Sequence, residues 1–234
     1  MLWLDGVAVE LGRFRLTASL EVPPGARVAI LGPSGAGKST LLSVIAGFQA
    51  PTAGRVLWQG QDITGADPGD RPVSVVFQDN NLFPHLTAAE NVGLGLRPSL
   101  RLSAEEGSRV AAVLARVGLE GRADDRPAQL SGGEQSRVAL ARVLLRARPL
   151  MLLDEPFAAL GPALKAEMLD LVKAVAAETG AAVLMVTHDP EDARRLGGQA
   201  IVVEAGRAAP PRDTAALLDD PPPGLRAYLE GGGE

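Results

Sequence analysis

The chain contains no cysteine, so neither disulfides nor thiolate-held metal can contribute to its stability. That absence fits a cytosolic setting. An excess of positive charge is also missing: 23 Lys and Arg stand against 28 Asp and Glu, a formal net charge of −5. Duplex nucleic acid is held largely through its phosphates, so without a basic face no nucleic-acid partner is expected. Any polyanion must be bound by local geometry. The segment Met1-Leu2-Trp3-Leu4-Asp5 lacks a basic n-region, and the richest apolar stretch, Val138 to Leu153, is interrupted by Arg142, Arg146 and Arg148. Neither an export signal nor a membrane span is expected from such segments. Internal repeats are absent as well. What the 234 residues do have is 46% hydrophobic content, enough for one substantial core, or a core plus a subdomain.

The most informative segment runs from Gly32 through Pro33, Ser34, Gly35, Ala36, Gly37, Lys38, Ser39 and Thr40, a complete G-x-x-x-x-G-K-[ST] phosphate loop. It lies between an apolar strand, Val28 to Leu31, and an apolar helix opening at Leu41-Leu42. Glycine lets backbone N–H groups turn inward around a phosphate, and the following helix aims its free N–H groups and positive dipole end at the same anion. Lys38 is then expected to reach the β/γ-phosphates and Ser39 to hold Mg²⁺. A chance glycine-rich turn would not need a strand before it and a helix after it. The loop predicts nucleotide binding, but alone it leaves GTPases, kinases, RecA-like motors and transport ATPases open.

A second element narrows the choice. Leu150 to Leu153 read as a buried strand, and Asp154 and Glu155 follow where it emerges at the carboxyl edge of a sheet. Asp154 is placed to hold Mg²⁺ through its water shell, and Glu155 to polarise an attacking water. Two adjacent acids also suit an ordinary turn, and it is the pairing with a phosphate loop that favours chemistry. A positioned base supplies about 10² to 10⁴ in rate, so Glu155→Gln is expected nearly to stop turnover while ATP still binds.

The chain reads as an α/β fold. Alternating segments Val7 to Leu11 and Phe14 to Val22 suggest an antiparallel β flap, and the runs Val28 to Leu31, Val73 to Phe77, Leu150 to Leu153 and Ala182 to Val186 suggest parallel strands covered on both faces. After Pro162, the residues Leu164, Met168, Leu171, Val172 and Val175 recur at helical spacing. Between Asp79 and Pro149 no strand is predicted, and helices are expected over Ala88 to Leu96, Ser103 to Val117 and Gly132 to Ala147, with Ser103 and Glu106 forming a capping box. This organisation predicts a discontinuous core over 1–78 and 150–210, an inserted α-helical subdomain over 79–149, and a tail over 211–234 whose last glycines are loosely held.

Leu130 to Gln135 read Leu-Ser-Gly-Gly-Glu-Gln ahead of an arginine-rich helix, shortly before the Asp154 strand. With this segment the chain resembles the ATP-binding subunit of an ABC transporter, a P-loop NTPase with a RecA-like core. The resemblance implies that Ser131, Gly132 and Gly133 close over the γ-phosphate bound to another copy's phosphate loop, again with glycine N–H groups at a helix N-terminus. It implies that Gln78 reaches the Mg²⁺ and water and senses a membrane partner. His188 is implied to contact the γ-phosphate and to orient Glu155. The implied ligands are ATP and Mg²⁺. The implied partners are a second copy in a head-to-tail dimer, transmembrane permease subunits and, indirectly, a periplasmic or extracellular solute-binding protein, all at the cytoplasmic face of the inner (plasma) membrane. Permease docking is expected near Gln78 to His85, with Leu82 and Phe83 either as candidate contacts or as buried packing of the insert. His85 itself is expected to be structural or at a partner surface.

Three positions depart from the family pattern. Leu11 aligns where a tyrosine usually stacks on adenine, with Phe14 the nearest aromatic. Gly161 ends the stretch Ala158-Ala159-Leu160-Gly161, where the family has an aspartate crossing the dimer interface. Glu134 replaces a glutamine, and little effect is expected. A GTPase would need N-K-x-D, yet Lys38, Lys165 and Lys173 are the only lysines and none follows Asn. A chromosome-maintenance ATPase would insert a long coiled-coil arm, but Ser131 follows Lys38 by only 93 residues. A translation-type protein would usually carry two cassettes. Arg71 to Leu96, with its NNLF and NVGLGL pieces, is similar to the thiamine importer ATPases, while iron, sulfate and polyamine importers carry related stretches.

Overall fold

The structure is a computed structural model that describes residues 1–230. In chain order the elements are β1 (Leu2–Leu11), β2 (Phe14–Val22), β3 (Arg27–Leu31), α1 (Lys38–Ala46), β4 (Ala53–Trp58), β5 (Gln61–Asp62) and β6 (Val73–Val76). Three helices follow: α2 (Ala88–Gly93), α3 (Ala104–Arg116) and α4 (Gly132–Arg146). The chain then returns to the sheet through β7 (Leu150–Asp154), α5 (Pro162–Thr179), β8 (Ala182–Val186), α6 (Pro190–Leu196) and β9 (Gln199–Glu204). It closes with β10 (Arg207–Ala208), β11 (Arg212–Asp213), α7 (Thr214–Asp219) and α8 (Pro223–Glu230).

The apolar runs make a five-stranded parallel layer in the order β9-β3-β8-β7-β6. Parallel strands need covered faces, and the period of two divides each strand between them. Val28, Ile30, Leu150, Leu152, Leu184 and Val186 join the core shared with α1 and the antiparallel strands. Their neighbours Ala29, Leu31, Met151, Leu153, Val183 and Met185 join the core shared with α4 and α5. The phosphate-loop helix is therefore clasped between two layers. The antiparallel strands run β5-β4-β1-β2, and β10 joins them to the parallel layer by pairing with both β2 and β9.

Among the described residues no strand lies between β6 and β7. Capping boxes open all three helices there, at Thr87 with Glu90, Ser103 with Glu106 and Ser131 with Glu134. The buried face of α5 comprises Met168, Leu169, Val172, Val175 and Ala176, while Leu164 and Leu171 are only half-buried. Residues 211–230, read from the sequence as tail, hold β11, α7 and α8. Asp213 caps α7, and Leu217, Leu218 and Leu225 enter the core. The glycines at 231–233 lie outside the described residues.

One structural residue carries no sequence signal. Arg71 is 1% exposed, and its guanidinium donates to the carbonyls of Val44 at 2.8 Å and Ile45 at 2.9 Å, at the end of α1, and to Thr64 and Ala66. A cation at a helix C-terminus satisfies its free carbonyls and complements its dipole.

Candidate functional site

The end of β3 turns sharply into the phosphate loop. Gly32 has φ of 145°, and a Cβ there would collide with the carbonyl oxygen of Val203 on the neighbouring strand. Gly37, with φ of 109°, starts α1 in the left-handed region and supplies no side-chain cap, so the first N–H groups of the helix are left to other acceptors. Lys38 is 8% exposed. Its Nζ donates to the carbonyls of Gly32 at 2.7 Å and Pro33 at 2.9 Å, so the loop is wrapped around its own ammonium. Burial pushes the Lys38 pKa down, against the Glu155 and Asp154 carboxylates that favour its charge.

The loop opens on a cavity of about 350 Å³ lined by Phe14, Ser34, Gly35, Gly37, Lys38, Ser39, Thr40, Gln78 and Glu155. Gln78 and Glu155 thus arrive from two different strands, β6 and β7, at the groups of the phosphate loop. Gly32 and Pro33 contribute the carbonyls that hold Lys38, and Ala36 is buried beneath the loop.

Asp154, the last residue of β7, is 8% exposed, and its Oδ1 is buried with no hydrogen-bond partner. Burial raises its pKa, opposed by a hydrogen bond with Ser39; Glu155 adds to the rise and Lys38 counters it. An orphaned carboxylate oxygen beside a serine hydroxyl suits a hard cation that prefers oxygen ligands. Among the described residues no group of three or more His, Cys, Asp or Glu is placed to hold a metal. The remaining ligands would have to be water and phosphate oxygens, as is usual for Mg²⁺.

Glu155 adopts φ of 45°, an uncommon value for a residue other than glycine. Its N–H donates to Val186 at the end of β8, 3.2 Å away. Beyond β8, His188 places Nδ1 3.2 Å from Glu155 Oε2. In the tautomer with Nδ1 protonated, the imidazole donates to the carboxylate and fixes its direction.

Ser131, Gly132 and Gly133 are not among the residues lining this cavity. Ser131 caps α4: its hydroxyl accepts from the Glu134 N–H at 3.3 Å, while the Glu134 carboxylate accepts from the Ser131 N–H at 2.8 Å. Gly132 and Gly133 pack against the loop before α5, where a Cβ on Gly133 would lie 2.9 Å from Leu160 Cδ2. The outer side of the segment is exposed.

Sequence alignment by spacing missed the aromatic at the cavity. Leu11 is 45% exposed and does not line it, whereas Phe14 does, with its ring close enough to Gly37 that a Cβ there would be 2.8 Å away. The signal available was that Phe14 is the nearest aromatic ahead of the loop. His85 is exposed, stacked edge-on near Phe83 at 6.1 Å, and outside the cavity. A separate groove of about 370 Å³ runs between the core and the helices, lined by Phe48, Phe77, Phe83, Leu94, Arg142 and Arg146 among others. Leu82 turns away from it and packs half-buried on the core. Among the described residues no helix is long and apolar enough to cross a membrane.

The profile of the ABC transporter family matches residues 16–158. Over 229 residues the chain is 62% identical to the Thiamine import ATP-binding protein ThiQ of Cereibacter sphaeroides, covering 98% of this chain and 99% of that protein. The protein of the same name from Ruegeria sp. is 56% identical with the same coverage. Among solved structures, the dimeric ATP-binding cassette MJ0796, in a post-hydrolysis state bound to ADP and Pi, aligns with a TM-score of 0.82 at 34% identity, over 92% of this chain and 99% of that one. The chain therefore belongs to the ABC transporter family, as one of its ATP-binding, ATP-hydrolysing subunits.

Proposed function

We propose that this subunit powers a thiamine importer, working as a head-to-tail dimer at the cytoplasmic face of the membrane. The observation that carries the substrate is the 62% identity to a thiamine import protein across nearly the whole of both chains. No cavity in an ATPase subunit needs to touch the transported solute.

In this reading the triphosphate enters the 350 Å³ cavity. Lys38 exchanges the Gly32 and Pro33 carbonyls for phosphate oxygens, and the free N–H groups opening α1 take up the rest of the negative charge. The adenine stacks on Phe14. Asp154 and Ser39 would hold Mg²⁺, which would supply charge neutralisation for the phosphates. Glu155, oriented by His188, accepts a proton from the attacking water, and Gln78 positions that water from the other side. The second copy supplies Ser131, Gly132 and Gly133 over the γ-phosphate. Residues 1–78 and 150–210 act as the nucleotide-binding body, and 79–149 carries the lid segment toward the partner. The groove beside Phe48, Phe77 and Phe83 receives a permease segment, so that closure on ATP moves it.

Uptake into vesicles carrying the cognate permease and binding protein tests this. Labelled thiamine is expected to accumulate with ATP, and not with Lys38→Ala in place of the natural subunit. Accumulation of a different solute, with thiamine excluded, overturns the substrate.

A further inference from the structure

A charge cluster that no step above uses ties together two loops at the nucleotide edge. The Lys165 ammonium, in the opening turn of α5, lies 2.9 Å from Asp189 Oδ2 and 3.2 Å from Asp192 Oδ2. The side chains of Lys165 and Asp192 are only 18% and 11% exposed. A cation at a helix N-terminus sits at the wrong end of the dipole, and half-burying it costs desolvation. The carboxylates offset both penalties, and they are themselves well placed: Asp189 caps α6 and Asp192 lies in its first turn. The cluster is thus a joint between two helix starts, unlike the exposed ion pairs elsewhere, which contribute little.

Each of those helix starts follows directly on a loop of the site. Ahead of α5, Ala159 and Leu160 pack against Gly132 and Gly133. Ahead of α6, the Thr187 hydroxyl donates to Asp192 Oδ2 at 2.9 Å and accepts from the Asp189 N–H at 3.1 Å. His188 stands between these two anchored neighbours and faces Glu155. A path of contacts and bonded neighbours therefore runs from the lid glycines to Leu160, through the adjoining Gly161, whose carbonyl accepts from the Lys165 N–H at 2.9 Å, and through the Lys165 ammonium to Asp189, the residue next to the histidine. Gly161 offers no side chain to the same region and caps α5 without a side-chain bond.

We propose that Lys165 is a positioning residue that couples the loop under the Ser131–Gly133 lid to His188, so that closure over the partner's nucleotide is felt at this chain's own site. This rests on the dimeric ATPase reading above.

The test is steady-state ATP hydrolysis by Lys165→Met in the full chain assembled with its permease. The expected result is a fall in kcat of about tenfold, within the usual range of allosteric couplings, together with loss of the cooperativity in ATP that the coupling requires of the natural subunit. Affinity for a fluorescent ATP analogue should stay within about twofold, since the residue touches no cavity group, and Lys165→Arg should restore kcat and cooperativity because it keeps the charge. Asp189→Asn breaks the same joint with little change of shape and should give the same signature, including when Lys165→Met fails to fold. The double variant should lose no more than the worse single one. Natural kcat and cooperativity in Asp189→Asn or a folded Lys165→Met, additive losses, or a natural subunit without cooperativity overturn the coupling. A Glu155→Gln control keeps the two readings apart: undiminished turnover there would sink the ATPase reading itself, whereas an inactive control beside a normal Lys165→Met sinks the coupling alone.

Discussion

The phosphate loop and the Ser131–Gly133 segment both place glycine at a helix N-terminus, yet they are completed to different degrees. Gly37 gives α1 no side-chain cap, Lys38 is buried inside the loop, and Asp154 and Glu155 stand beside it. Free N–H groups, the Lys38 ammonium and the Glu155 carboxylate thus face one cavity, with the buried Asp154 close enough to act on Lys38. At α4 the cap is already closed by Ser131 and Glu134, the surface is exposed, and the cavity lining includes none of its residues. The first segment gathers most of the groups of the proposed active site, and the second is a satisfied helix start that, on the head-to-tail reading, meets its anion on another molecule. On that reading, a subunit built this way finishes its chemistry only when paired.

The contrast breaks most sharply on substitution of one residue from each side. Lys38→Ala removes the ammonium and strands the Gly32 and Pro33 carbonyls; turnover is expected to fall by more than about 10³, the upper range for losing one preorganised charge-stabilising donor, with nucleotide affinity lost alongside. Gly133→Ala drives a Cβ to 2.9 Å from Leu160, which shifts the lid. Here turnover should drop by about 10², the cost of an ångström of misplacement, while the isolated chain binds a fluorescent ATP analogue as before. Equal loss of affinity in both variants would mean that the lid belongs to its own chain's cavity.

How much of this was legible in the sequence depended on whether the signal was local. β7 and β8 are apolar throughout because both faces are covered, and α3 announces itself through Ser103 and Glu106, so both were readable. β4 was not, since Ala53, Gly54 and Arg55 are exposed and only Val56 and Leu57 are buried. β9 carries the short run Ile201 to Val203 between glycine turns at Gly197-Gly198 and Gly206, too brief to stand out. α7 and α8 owe their place to burial of Leu217 and Leu225, while their Pro- and Asp-rich surroundings read as tail. Arg71 escaped because its acceptors on α1 lie 26 and 27 residues earlier, and nothing nearby marks the charge as buried. In the site, the phosphate loop, Asp154 and Glu155 stood out by motif, whereas choosing Phe14 over Leu11 required knowing how the β1–β2 flap curls over Gly37.

Phe14 sharpens the comparison from the nucleotide's other end. Aromatic stacking on a base contributes about 1–3 kcal/mol, so Phe14→Ala should weaken ATP binding by roughly tenfold to a hundredfold. Leu11→Ala should leave it unchanged, because that side chain points into solvent. Titration of the isolated chain with ATP checks both, and a loss confined to Leu11→Ala would return the adenine to the position that spacing alone suggests.

The smallest expected effect separates the two helix starts by charge rather than by geometry. At the lid, hydrogen bonds from the Ser131 N–H and hydroxyl, with Arg122 nearby, hold the Glu134 carboxyl below its ordinary range. A depressed carboxylate pKa adds stability above the unfolded value, and the contribution disappears as pH falls through the lowered folded value. Glu134→Gln keeps an acceptor for the Ser131 N–H but cannot titrate. ATP turnover should therefore stay within about twofold of the natural subunit, because the capping geometry survives. The melting midpoint should lose part of its decline on acidification below the ordinary Glu range, a difference on the order of 1–2 °C for a cap made of so few hydrogen bonds. Melting curves across that range decide it: an unchanged acid slope would mean that Glu134 holds its cap no better folded than unfolded, and that the lid's helix start is as open to an incoming anion as the phosphate loop's.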